Sequence, residues 1–477
     1  MAILAFRSSG EPRVPNIGSV ARHGARKERL AIVSSSDRLC GIAAYTEALC
    51  RQLEPLFELT VFDLDQYLLR SRQTAIRRLG NAHIRRICAE LRRFDAVNIQ
   101  LEFGTLGETY PDILRRLRWL ASAAQRLSVT FHTVLSPKPL ALADWVKAIG
   151  RGEMRTAIDA VDDYRRQRAL SLGVARMLRR QQRRKQVTAI THNRRDGRDV
   201  KYLYGLESVL DHPLAFLSAA EAEVVRVRAS RRAFPILEHL PKDAVLTGVF
   251  GFLNSYKGFG TVIRALQHLP ENHHLLIFGG VHPNEIAAHQ PIHPYLSSLF
   301  DEAYIGTSLY QQLGRDTRPG TPQLALTADR SLDELLGPHP RDLSYRIHFM
   351  GACGRQEFLN GMAVCDAVVL PYLEVGQSSS GPISQALELG CRVIASRTRA
   401  FLEFAKYHPD AIEFFDIGNH LELAERLRSR RAYPAARSAP AFNTETDKAV
   451  YLLANSERRR LDEVEPAAIE EQVKGAD

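Results

Sequence analysis

Residues Asp366 to Ser396, DAVVLPYLEVGQSSSGPISQALELGCRVIAS, decide the fold. Ala367 to Leu370 is a short valine-rich run that Pro371 stops, and Val393 to Ala395 is a second. Both suit parallel strands buried on their two faces. Between them the spacing predicts about two turns of helix. Ser380 is its N-cap candidate, Pro382 suits the first turn because its missing N–H costs nothing there, and Gly390 can close the helix in a left-handed conformation. Ser378-Ser379-Ser380-Gly381 then sets free N–H groups and hydroxyls at the positive end of a helix dipole, at the carboxyl edge of a sheet. A phosphate can be held in such a place without a metal. An ordinary capped helix in an α/β core would carry the same pattern.

A chain of 477 residues has room for two or three domains with full cores. Its hydrophobic share of 45% and charged share of 25% are those of a globular protein. No apolar run approaches the roughly 18 residues that span a bilayer. The start, MAILAFRSSGEPRVP, lacks a basic n-region and breaks early, so a cytoplasmic location is expected. Cys40, Cys50, Cys88, Cys353, Cys365 and Cys391 form no C-x-x-C pair and have no accompanying histidine spacing. They read as small buried hydrophobes, not as metal ligands or disulfides.

Residues 1–28 mix Gly, Pro, Ser and Arg without periodicity and are expected to be a flexible tail. From Leu30 a strand, LAIVSSS, leads through the loop DRLCG into a helix with Ile42, Tyr45 and Leu49 at helical spacing. Gly41 sits at that turn, where sheet edges line ligand clefts. LTVFDL, DAVNIQL, SVTFHT and VTAITHN follow as strands separated by helical runs, with His132 and His192 at strand ends. Such alternation argues for a parallel sheet with helices on both faces. Asp63 and Asp65 form a D-x-D, which without a third ligand reads as a solvated strand end.

The net charge of +10 is concentrated in two helical runs, residues 68–94 and 165–185. They are read as a solvated face or as a patch for an anionic membrane surface. No aromatic residues interleave the arginines, so no nucleic acid partner is expected.

Pro235 and Pro241 bracket the segment FPILEHLPKD, and a domain boundary is expected near Leu240. A domain of residues 29–240 is then followed by a second, residues 241–440, that repeats the grammar: AVLTGVFGFL, the loop NSYKGFG, a helix, then HHLLIFGG. Residues 281–342 form a proline-rich insertion of the kind that serves as a lid or partner surface. Residues 441–477 read as a charged helix and tail with no strand after it. Two consecutive doubly wound domains with a phosphate loop in the second suggest a cleft enzyme that uses a nucleotide.

The run from Gln377 to Ala395, Q-S-S-S-G-P-I-S-Q-A-L-E-L-G-C-R-V-I-A, resembles the signature E-G-F-G-x-x-x-x-E-A-x-x-x-G-x-P-V-I-A of the GT-B glycosyltransferases of family 4, the group 1 glycosyl transferases. GIAAYTEAL, IQLEFG, TFHTV, FGFLNSYKG and LLIFGGVHP are similar to further pieces of that family and stand in its order, from about Leu30 to Ala405 with residues 281–342 outside. Both glutamates of the family motif fall on glutamine here, at Gln377 and Gln385, and its R-x4-K pair falls on Phe252 and Lys257. Glutamine still hydrogen-bonds hydroxyls but carries no charge. Glu374 and Glu388 are the nearest carboxylates, out of register.

The resemblance implies a GT-B fold, two doubly wound Rossmann-like domains facing across a cleft. It implies transfer of a hexose from a nucleotide-diphosphate sugar to a glycan or lipid-linked acceptor, with retention, in surface polysaccharide or glycoconjugate synthesis. No cofactor or obligatory metal is implied. Lys257 and the N–H groups of Ser379, Ser380 and Gly381 would meet the leaving diphosphate beside Ser378, with Gly41 approaching the phosphates. Gln385 would hold the ribose and Gln377 the donor sugar, and His132 would contact sugar or acceptor. The plain alternatives are a solvated turn lysine, a helix-surface glutamine and a structural histidine. A 2-epimerase would need positioned carboxylates, against which the two glutamines argue. A non-catalytic sugar-nucleotide binder or scaffold is the remaining alternative.

Overall fold

A computed structural model of the chain describes residues 26–36, 41–135, 150–151, 153–281, 293–303, 343–429 and 441–457. The expected tail before residue 26, Cys40 with the loop 37–40, most of the insertion 281–342 and the chain after residue 457 lie outside the described residues.

Two compact units make up the chain. The first comprises Met1–Phe216, Gln377–Gly381 and Ala441–Asp477. Its strands are β1 (Glu28–Ser34), β2 (Phe57–Asp63), β3 (Ala96–Leu101), β4 (Arg126–Phe131), β5 (Val187–Thr191) and β6 (Ser208–Asp211). They pair in parallel in the order β2-β1-β3-β4-β5-β6. The sequence has this sheet because Leu30, Ala31, Ile32 and Val33 are apolar on both faces and fully buried, which a parallel strand between two helical layers requires. Four helices matter for the site: α1 (Gly41–Leu53), α2 (Thr74–Leu91), α3 (Tyr110–Ala123) and α4 (Met154–Gln182). α3 packs against both α2 and α4. The D-x-D is spent on structure: Asp65 caps a short helix through the Leu68 N–H, and Asp63 accepts from the Ser36 N–H at 2.7 Å.

The helix expected near the C terminus, α8 (Thr444–Asn455), belongs to this first unit, where it packs on α1 and on β3 to β6. A charged surface helix would turn its polar side outward. This one buries Thr446, Asp447, Tyr451 and Asn455. It can do so because the facing strands β3 and β4 present Asn98, Gln100, Ser128 and Thr130, all buried, at alternate positions.

The second unit comprises Leu217–Gly376 and Pro382–Pro440, so the division falls ahead of the expected Leu240. The Leu217 N–H donates to the Glu388 carboxylate at 3.0 Å, and the helix Ala219–Arg228 packs on the helix Arg355–Val364. Prolines mark a connection in sequence but not the side on which the preceding helix packs. Strands β7 (Val245–Phe250), β8 (His273–Phe278), β9 (Ile347–Gly351), β10 (Ala367–Leu370), β11 (Val393–Ser396) and β12 (Ile412–Phe415) form the sheet β12-β11-β10-β7-β8-β9. Its order reverses between β7 and β10, the point at which open α/β sheets take ligands. The helix predicted between β10 and β11 is Gly381–Glu388, with Pro382 in its first turn and Gly390 at φ +72° after its end.

Asp447 is fully enclosed, faced by Tyr45, Tyr451 and His212, and burial pushes its carboxyl up to about 8. A carboxyl raised this far above its unfolded value of about 4 contributes stability that is whole below that value and is lost as pH rises through about 8. The melting temperature is therefore expected to fall between mildly acidic and mildly alkaline pH, and Asp447→Asn to flatten the fall. Equal slopes for the two proteins in a pH series of thermal melts would show that another group titrates.

Candidate functional site

In the second unit two loops meet at the β7/β10 switch point. The loop after β10 passes the loop after β7 so closely that the Leu373 N–H donates to Tyr256 O at 2.7 Å. Gly258, at φ +64°, permits this, since a Cβ there would stand 2.1 Å from Pro371 O. It also ends the single 3-10 turn Ser255–Lys257 and begins α6 (Phe259–Leu266), with the Asn254 side chain capping the turn at the Tyr256 N–H. The result drives Lys257 inward. It is 6% exposed, with Nζ donating to the Tyr372 hydroxyl and lying 3.9 Å from the Tyr372 ring centre and 5.1 Å from that of Tyr256. No carboxylate pairs with it among the described residues, and burial alone pulls its pKa down to about 7. Lys257 is thus a buried lysine whose amine lies against two aromatic rings and a hydroxyl, not a solvated turn lysine, and whose charged form has no counter-ion beside it among the described residues. Phe252, in the same loop, is half-buried and brings no charge.

Gln385 lies inside the helix Gly381–Glu388, designated α7, and is buried, as is Ser384, whose Oγ has no hydrogen-bond partner among the described residues. The two nearby carboxylates are committed elsewhere. Glu374 accepts from the N–H groups of Gly376 and Arg399, and Glu388 from that of Leu217.

The loop that leads into α7, Gln377–Gly381, belongs to the first unit. Asn193 caps the helix α5 (Arg194–Tyr202) through the Asp196 N–H at 2.7 Å, and its Nδ2 donates to Ser378 O at 2.9 Å. Burial raises the Asp196 carboxyl, offset by hydrogen bonds from Ser378 and Asn193. Gln377 turns back on its own loop, donating from Nε2 to Ser379 O at 2.6 Å. Ser378 and Ser380 are buried, Ser379 and Gly381 partly so, and a Cβ on Gly381 would stand 3.1 Å from the Phe216 ring. The first N–H groups of any helix have no partner within it, and a helix start of this kind can hold an anion.

Within the first unit, His132 follows β4 and His192 follows β5, and their rings lie 5.0 Å apart. The Tyr45 ring stands edge-on to both, at 5.6 and 5.5 Å, and to Phe216 at 5.6 Å. His132 Nε2 meets Gln100 Oε1 at 2.8 Å. His192 Nδ1 donates to His212 O at 3.2 Å, and its buried Nε2 has no partner among the described residues. Burial, then the neighbouring His192, holds His132 well below the ordinary imidazole value, and burial brings His192 to about 4. Both rings are therefore neutral near pH 7. Gly41 opens α1, where a Cβ would meet nothing within 4 Å among the described residues, and the loop before it lies outside them.

The fold thus gathers His132 with Tyr45, Gln100 and His192, and Lys257 with Tyr256 and Tyr372. None of the companions is among the residues singled out above as site residues. Tyr45 and Gln100 were visible only as a core position and a strand residue, and Tyr372 as the residue after a strand-stopping proline.

No protein-family model and no curated protein matches the sequence. Solved structures share the fold. The UDP-forming α,α-trehalose-phosphate synthase of Burkholderia xenovorans is 12% identical, with a TM-score of 0.53 over 90% of this chain and 99% of that one. Sucrose-phosphate synthase of Thermosynechococcus elongatus is 11% identical, with a TM-score of 0.50 over 94% and 100%. A glycosyltransferase of Rickettsia africae is 10% identical, with a TM-score of 0.50 over 94% and 99%. At such identities the likeness is one of fold, and it is the GT-B fold that the sequence resemblance implies, here with two six-stranded parallel sheets.

A lysine whose folded pKa is depressed costs stability in full below that pKa, and the cost fades as pH rises towards the unfolded value of about 10.4. With Lys257 near 7, Lys257→Met is expected to raise the melting temperature at pH 6 to 7 and to raise it less at pH 10. A gain independent of pH would show that the lysine is not the titrating group.

Proposed function

We propose that the chain is a glycosyltransferase that moves a sugar from a nucleotide-diphosphate sugar to a glycan or lipid-linked acceptor. The observation that carries this reading is Lys257, a lysine buried without a carboxylate beside the switch point of a doubly wound sheet, whose charged form an anionic ligand would restore. Burying an unpaired charge is costly unless a ligand of opposite charge repays it, and a diphosphate is such a ligand. The shared fold supports the same reading: one of the solved proteins is a UDP-forming synthase of a sugar phosphate and another is named a glycosyltransferase.

In this reading the bond from the sugar's anomeric carbon to the diphosphate breaks while an acceptor hydroxyl bonds to that carbon. Lys257 and the first N–H groups of α7, with Ser378, Ser379, Ser380 and Gly381, stabilise the charge that develops on the leaving oxygen. That compensation is what a metal otherwise gives, so no obligatory metal enters. Attack on the face that the diphosphate vacates retains the anomeric configuration, and the departing phosphate takes the acceptor proton. His132, neutral and partly exposed, offers a hydrogen bond to a sugar or acceptor hydroxyl, and Gln385 and Gln377 hold ribose and donor sugar, with Gly41 near the phosphates. Retention and a role in surface polysaccharide or glycoconjugate synthesis rest on the resemblance in sequence.

A second reading, a sugar-nucleotide binder without turnover, is favoured by Gln377, whose amide is already spent on Ser379 O. Incubation with a panel of nucleotide sugars, with and without acceptor lipid, separates the two. Release of nucleoside diphosphate with transfer is expected, and Lys257→Ala should lower turnover about ten- to a hundredfold, the worth of one charge-assisted contact. Tight binding with no turnover under any condition would overturn the transferase reading in favour of the binder.

The reading includes an acceptor at the inner face of a membrane. No helix among the described residues is long and apolar enough to cross one. Yet α2, α3 and α4 lie side by side, and Arg78, Arg85 and Arg86 of α2, Arg118 of α3, and Arg176 and Arg180 of α4 are exposed. Arg85 also lies over Trp119 at 4.8 Å. Such a layer attracts anionic headgroups at about 1 kcal/mol per basic residue near the surface. Flotation with anionic vesicles is expected at low salt and to fade at high salt, whereas no flotation at low salt would return these helices to the role of solvated faces.

A further inference from the structure

A buried chain of hydrogen bonds has a definite direction when one end is unambiguous. In the first unit one end is. The backbone carbonyl of Tyr451, in α8, can only accept, and Asn455 Nδ2 donates to it at 2.8 Å. Asn455 Oδ1 therefore turns to Ser128, whose hydroxyl donates to it at 2.7 Å. Having given up its one proton, Ser128 Oγ accepts from Asn98 Nδ2 at 2.8 Å. Asn98 Oδ1 is thereby left to accept from Gln100 Nε2 at 2.6 Å, and Gln100 Oε1 faces His132 Nε2 at 2.8 Å. An amide oxygen only accepts, so the imidazole proton sits on Nε2 and the lone pair on Nδ1.

Thr130 Oγ1 and the Tyr451 hydroxyl, at 3.4 and 3.3 Å from Gln100 Nε2, can donate or accept and so suit this orientation without setting it; Asn98 Oδ1, which only accepts, sets it. Reversing the chain would require every amide to flip together and would set Asn455 Oδ1 against the Tyr451 carbonyl, two acceptors face to face in a buried site.

We propose that α8 sets the tautomer of His132 through this one-way relay, so that Asn455, Ser128, Asn98 and Gln100 are positioning residues that present His132 Nδ1 as a fixed acceptor for a substrate hydroxyl. The use of that acceptor rests on the transferase reading, while the tautomer does not. A hydroxyl that donates to a fixed lone pair is oriented before reaction, and a ring held in the other tautomer would meet it with an N–H instead.

Two-bond proton–nitrogen NMR of full-length protein labelled with 15N-histidine, with no ligand added, reads the tautomer directly, and His132→Gln assigns the signal. His132 is expected as the neutral Nε2–H form alone near pH 7. Ser128→Ala, a loss of one atom, and Asn455→Ala, which removes the acceptor of the Ser128 proton, should each populate the Nδ1–H form as well. In those variants kcat should fall roughly ten- to a hundredfold, as when the orienting partner of a histidine is lost, with KM for the nucleotide sugar unchanged. A merely structural role would lower stability and leave the tautomer ratio alone. An Nδ1–H signal or a mixture in the unaltered protein, or a pure Nε2–H signal in both variants, would overturn the relay. Absence of transfer with the expected tautomer would overturn the transferase reading and leave the relay standing.

Discussion

A helix can turn polar side chains inward only if each group it buries is met, because an unmatched buried donor or acceptor costs about 1–3 kcal/mol. The rest of the first unit depends on how α8 satisfies that condition. Asn455 meets Ser128, the Tyr451 hydroxyl meets Thr130 at 2.9 Å, Thr446 meets His212 at 2.7 Å, and Asp447 meets Tyr45 at 3.2 Å. Apolar contact tolerates small slips between helix and sheet, whereas a set of directional bonds has one register. α8 is therefore fastened to strands formed some three hundred residues earlier at a single setting, and that setting reaches His132 through Gln100.

The second unit treats its buried charge in the opposite way. Lys257 is surrounded by two tyrosine rings and one hydroxyl, a lining that tolerates a cation without neutralising it. The backbone geometry that creates this lining is itself narrow. Gly258 lets the loop after β7 pass under the Pro371 carbonyl, and Gly279, at φ +155°, lets the end of β8 pass within 1.9 Å, measured from an imagined Cβ, of the Gly251 carbonyl. Both approaches lie at the carboxyl ends of the strands, where the sheet order reverses or adjoins the reversal.

Much of this was legible in the sequence, for physical reasons that can be named. Valine-rich runs stopped by proline or glycine read as buried parallel strands, and they are; Pro382 and Gly390 marked the ends of α7 because backbone geometry restricts those positions to few residues. The site was legible only in part. Lys257 was in view, but its burial depends on Tyr372, whose place beside it is set by sheet order rather than by spacing along the chain. α8 read only as a charged helix, because periodicity locates a face but not what covers it. The signal lay in β3 and β4, where Asn98, Gln100, Ser128 and Thr130 alternate with apolar residues although a strand between two helical layers is ordinarily apolar throughout.

The two glutamines acquire a physical meaning from the same accounting. Gln385 is buried in α7, and a carboxylate in that position would have to be paired or held by several donors to keep its charge. The buried Arg346 is spent on the backbone carbonyls of Leu269, Pro270 and His273, and the one buried lysine among the unit's described residues, Lys257, carries no such partner. A neutral amide makes no demand on it. With Phe252 uncharged and Glu374 and Glu388 committed to backbone N–H groups, the positive charge of Lys257 stays uncompensated within its own domain. A site with one unanswered cation favours an anionic ligand by its full charge, whereas a site whose lysine is already paired favours it only by the difference between two partners.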